Sequence, residues 1–191
     1  MIALRLAAVS LSIAMGMLVP SQSRALTTVY TATLAPVGGG ATGSGSAQVD
    51  WDDVAHTMRV QAAFSGLSGL TSASHIHAPA SGGGSEIATQ APSFLGFPLG
   101  VQAGSYDMTF DTTLPTTYNP QYIVDWGGTT AGAEAALKAA LDGGTAYFNI
   151  HTSNFPNGEI QGFLTAVPEP ATGALVALGF AGIAIAARRR R

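Results

Sequence analysis

Residues 146–164 read AYFNIHTSNFPNGEIQGFL. Ala146, Phe148 and Ile150 alternate with Tyr147, Asn149 and His151, the period of a strand with two unlike faces. A second run places Ile160, Gly162 and Leu164 out of phase with Glu159, Gln161 and Phe163. Asn154, Pro156, Asn157 and Gly158 between them are turn formers, so the stretch predicts a β-hairpin. Pairing must keep both apolar sets on one face. That sets Ile150 opposite Ile160 and Phe148 opposite Gly162. It also puts His151 opposite Glu159 on the polar face, where an ion-pair-like hydrogen bond is expected.

The same stretch resembles the signature of the CHRD domain. The matching residues are Tyr147 to Thr152, then Phe155 and Pro156, then Gly158, Glu159 and Ile160, with Gln161 where an Arg is more usual. The resemblance covers roughly residues 27–165. It implies an antiparallel Greek-key β-sandwich, of the superoxide dismutase-like or immunoglobulin-like kind, with a short helix before the hairpin. It also implies a binding role rather than catalysis.

Upstream, 27–35, 44–51 and 56–64 read as strands, rich in β-branched residues or alternating. Gly38, Gly40 and Gly43 satisfy the spacing of a dinucleotide loop, but a strand and not a helix follows, so nucleotide binding is not expected. Asp50, Asp52 and Asp53 lack the spacing of a calcium loop and read as a solvated turn, with His56 exposed at a strand edge. Residues 74–78, SHIHA, form a strand that puts His75 and His77 on one face and Ile76 in the core. Residues 104–110 form another strand, and 118–126 a short extended piece. Residues 131–141, AGAEAALKAAL, are the one good helix, with Glu134 placed to pair with Lys138 and Gly143 and Gly144 to stop it.

Both ends read as targeting segments. Residues 1–25 combine Arg5, an apolar run over 6–19 and a small-x-small Ser23-Arg24-Ala25, the pattern of a cleaved signal peptide. Residues 167–191 hold Pro168, Glu169 and Pro170, an uncharged run over 171–187 long enough for a transmembrane helix, and Arg188 to Arg191. This order resembles the PEP-CTERM sorting signal of Gram-negative bacteria. The resemblance implies transient anchoring in the inner membrane, an exosortase as processing partner and delivery to the cell envelope, cell surface or extracellular matrix. The folded body is then 26–166.

Charge narrows the partners. The chain carries −3 overall, but 26–166 holds only Arg59 and Lys138 against ten acidic residues, a net −8. A body this acidic repels phosphate backbones, which excludes nucleic acid and leaves a protein or a polysaccharide as ligand. With no cysteine, neither a disulfide nor a thiol nucleophile is available, and no serine sits in a GxSxG elbow. The remaining chemistry is His75, His77 and His151, a His-x-His strand plus one more ring, which could hold copper or zinc or serve as hydrogen-bonded structural props. The CHRD resemblance implies kinship with copper/zinc superoxide dismutase. Four histidines and no disulfide do not assemble that enzyme's paired metal sites, so a non-catalytic module is expected.

Overall fold

The computed structural model describes residues 27–168. The signal segment, Glu169, Pro170 and the apolar run with its arginines lie outside the described residues. Among the described residues no helix is long and apolar enough to cross a membrane.

The chain is mainly β. Nine strands run in order: β1 Thr27–Pro36, β2 Ser44–Asp52, β3 Thr57–Ser65, β4 Thr71–Pro79, β5 Ser85–Ile87, β6 Gly104–Asp111, β7 Tyr147–Thr152, β8 Ile160–Phe163 and β9 Thr165–Ala166. Two helices, α1 Pro120–Asp125 and α2 Thr130–Asp142, fall between β6 and β7. All pairings are antiparallel, in the spatial order β5-β4-β7-β8-β1-β2-β3-β6, with β9 also beside β1. Strand β1 joins the two halves. Thr27 to Leu34 pair with β2, and Ala35 and Pro36 pair with β8. The sheet therefore curls about a single core.

Period-two patterning makes that core. Val49 and Trp51 of β2, Met58 and Val60 of β3, Ile76 of β4 and Phe148 and Ile150 of β7 are fully buried. Each such large side chain contributes about 2–3 kcal/mol by leaving water. Phe94, from the β5–β6 connection, lies with ring centroids 6.0 Å from Phe148 of β7 and 5.4 Å from Phe110 of β6, so it packs β7 against the end strand β6 across the curl. Leu137 and Leu141 of α2 and Tyr122 of α1 close the remaining side.

The hairpin pairs as its pattern requires, Ile150 with Ile160 and Phe148 with Gly162. Its outer face departs from expectation. Asn149 and His151 are buried as well as Phe148 and Ile150, because the β5–β6 connection and the hairpin turn fold over β7. Ser93 Oγ accepts from the Ser74 amide, and the carbonyls of Pro92 and Pro156 face the histidines.

Two local expectations are corrected. Residues 118–126 are not extended, because Pro120 opens α1 and the Asn119 side chain accepts from the Gln121 amide. Proline at the first helical position costs no hydrogen bond. Asn119→Ala is expected to lower stability by about 1 kcal/mol, read as a shift in urea midpoint. Glu134 does not pair with Lys138. Lys138 Nζ binds Asp142 at 2.7 Å, while Glu134 accepts from Thr112 and meets His56 Nδ1 at 2.8 Å. His56 is exposed at the edge of β3, as expected, with its ring tethered to Glu134, and it sits at φ 52°. The Asp50–Asp53 turn is self-satisfied: Asp52 accepts from the amides of Val54 and Ala55, and Asp53 from the Trp51 indole.

Candidate metal centre

Strands β4 and β7 pair so that Ala73 faces His151, His75 faces Asn149 and His77 faces Tyr147. Alternation sends His75, His77 and His151 to one outer face, and their ligand atoms lie within 4.8 Å of one another. The three rings therefore converge under the covering loops. His75 and His151 are 4% and 8% exposed, and His77 is half-buried at the rim.

The hydrogen bonds settle the tautomers. His75 Nε2 lies 2.7 Å from the Pro92 carbonyl, and His151 Nδ1 lies 2.8 Å from the Pro156 carbonyl. A carbonyl oxygen only accepts, so both nitrogens are N–H donors. Their neutral rings then present lone pairs at His75 Nδ1 and His151 Nε2, which face each other at 3.1 Å. Two lone pairs at that distance repel unless a cation lies between them. His77 Nε2 is buried with no hydrogen-bond partner, and its ring stacks on Tyr147 at 4.8 Å.

The His75 and His151 pair has the spacing of two ligands on one transition-metal ion, with His77 close enough to approach as a third. At metal–nitrogen distances of about 2.0–2.1 Å, nitrogens 3.1 Å apart subtend about 100°, close to tetrahedral. Ligating histidines ordinarily donate their second N–H to a carbonyl or carboxylate, the job Pro92 and Pro156 do here. Burial pushes His75 down to about 4, opposed by the Pro92 carbonyl and reinforced by His151. Burial, with His75 and His151 nearby, also takes His77 down to about 4, and burial lowers His151. The rings are neutral at pH 7, the form in which imidazole binds metal.

Glu159 does not join the histidines. The β7–β8 ladder ends at Ile150 and Ile160, and the fully buried Glu159 carboxylate turns toward three other segments. It accepts from Thr152 Oγ1 at 2.6 Å, from the Ser68 amide at 2.6 Å, from the Gly69 amide at 3.3 Å and from the Thr42 amide at 3.2 Å. Burial works against its charge, but these bonds outweigh it and hold Glu159 down at about 2. It is a latch that ties the β1–β2 and β3–β4 turns to the hairpin. Nothing in the sequence pointed to Ser68, Thr42 or Pro92, which act chiefly through backbone amides and a carbonyl, with the Thr42 hydroxyl adding a longer contact at 3.5 Å.

The CHRD domain model matches residues 25–164, and the model of the PEP-CTERM protein-sorting motif matches 166–191. No curated protein and no solved structure matches the chain. The sorting motif begins where β9 leaves the edge of β1, with Val167 still bonded to the Val29 carbonyl and Pro168 exposed. Such a signal marks a protein that a Gram-negative cell exports and an exosortase processes at the envelope. The Asn-Ile-His-Thr strand, the Phe-Pro turn and the Gly-Glu-Ile return thus head a fold matched over most of its length, and this chain belongs to the CHRD domain family.

Proposed function

We propose that this protein is a non-catalytic module of the cell surface or extracellular matrix that holds a copper or zinc ion between His75, His77 and His151. The observation that carries the reading is the pair of opposed lone pairs at His75 Nδ1 and His151 Nε2. A proton is a poor occupant at neutral pH, because burial disfavours the charged ring. A divalent ion satisfies both nitrogens and offers His77 Nε2 a partner as well. The deep burial of His75 and His151 supports a holding site over a reaction centre. In this reading the curled sheet is a Greek-key sandwich of superoxide dismutase-like ancestry, and the ion stiffens the loops that present a surface to a protein or polysaccharide ligand.

The test is metal analysis and thermal unfolding of the full-length protein. Stoichiometric copper or zinc is expected. Metal at a hundredfold excess over its dissociation constant is expected to add about 2.7 kcal/mol, roughly 8 °C in Tm for a chain of this size. His75→Ala and His151→Ala should abolish that gain. Equal Tm with metal and with chelator would sink the proposal. Superoxide turnover by the copper-loaded protein would instead support a metalloenzyme of dismutase ancestry.

A further inference from the structure

The outer face of strands β1, β2, β3 and β6 forms an open trough of about 740 Å³. The register explains its shape. Thr33, Ser46, Ala63 and Ser105 stand side by side across the four strands and make a floor of short side chains. Two residues along, Gln48, Gln61 and Asp107 form the next row and rise as a wall. Phe163 of β8, 57% exposed, stands at the β1 side of the trough.

That wall is held in place before anything binds. Arg59 donates through Nε to Asp107 at 2.8 Å, and its second arm also engages that carboxylate. Gln61 leans on Asp107, and Gln48 donates to Asp50 at 2.7 Å. Phe163 is braced edge-on by Tyr147, with ring centroids 5.6 Å apart. Fixed donors and acceptors lose little freedom when they meet a ligand.

From this arrangement we infer that the trough binds a neutral polysaccharide chain. The backbone groups of β2 and β3 under it are spent in the sheet's own ladders, and the outward side chains offer hydroxyls, carboxamides and one carboxylate, the partners that sugar hydroxyls require. The exposed Phe163 ring supplies a flat apolar face for the C–H side of a sugar ring. Charge selects against acidic polymers. Among the described residues no lysine or arginine lines the trough and the one charged lining residue is Asp107, while the flanking Arg59 is already engaged by Asp107 and Asp50. Three inter-strand gaps give it a length of about 14 Å, enough for a short run of sugar rings.

This inference is independent of the metal site. The experiment is affinity electrophoresis of the full-length protein, in a detergent without a sugar headgroup, through gels containing hydroxyethylcellulose, dextran, galactomannan or alginate. Retardation by at least one of the neutral polymers and none by alginate is expected. Phe163→Ala and Ala63→Trp, which remove the platform and fill the floor, should each weaken retardation roughly tenfold with Tm unchanged. Free passage through all three neutral gels would overturn the inference. So would retardation that both variants retain, or retardation by alginate alone.

Discussion

Glu159→Ala is expected to destabilise the protein by at least about 3 kcal/mol. The carboxylate is held at about 2 against an ordinary value of 4.5, and a shift of that size corresponds to about 3 kcal/mol of folding free energy. The alanine variant also leaves the amides of Ser68, Gly69 and Thr42 and the hydroxyl of Thr152 without their acceptor. Gly69 and Thr152 are buried, and buried donors without partners are costly in themselves. Glu159→Gln keeps the size and one acceptor oxygen for the Ser68 and Thr42 amides but turns an NH₂ group toward the Gly69 amide, so it should recover only part of the loss. The sign of the pH dependence follows from the depressed value. The contribution is complete above about pH 4.5 and is lost as pH falls toward 2. Urea unfolding of the wild type between pH 7 and pH 2.5 should show this loss, and Glu159→Gln should show a correspondingly flatter profile. Equal acid sensitivity in the two proteins would remove Glu159 from its role as latch.

Gly162→Ala should cost about 2–3 kcal/mol, through overpacking rather than a lost contact. A Cβ at Gly162 would lie 2.2 Å from the Thr33 carbonyl oxygen and 3.3 Å from Ala32 Cβ. The first obstacle is backbone, so it cannot swing aside, and β8 would have to move off β1. That junction is where the two halves of the sheet meet. Gly162→Ala should therefore lower the denaturant midpoint and loosen hydrogen-exchange protection on β8 and on Ala35 and Pro36's neighbours in β1. A midpoint within error of wild type would show that β8 can shift without penalty.

Much of this was legible in the chain because strand patterning is local. A period of two in 146–150 and 160–164 permits one register that buries both apolar sets, and the pairing of Ile150 with Ile160 follows. The same logic placed His75 and His77 on one face and Ile76 in the core. Helix α2 was legible from its alanines and closing glycines. Helix α1 was not, because Pro120 reads as a breaker until it is seen to occupy the first helical position behind Asn119.

What the residues could not disclose is which groups meet across the curl. The pairing of β4 with β7 brings His151 beside His75 across 76 positions of chain, and a register shift near Thr71 is part of that alignment. The Glu134–Lys138 and His151–Glu159 partnerships looked favourable by spacing. They gave way because the distant His56 and Thr112 captured Glu134 and the distant Thr42 and Ser68 captured Glu159, leaving Lys138 to Asp142 and His151 to the Pro156 carbonyl. Local alternation and turn chemistry dictate strands and faces, since they depend only on neighbours along the chain. The histidine cluster, the Glu159 latch and the trough depend on which strands become adjacent, and that is decided by closing the sheet around its shared core.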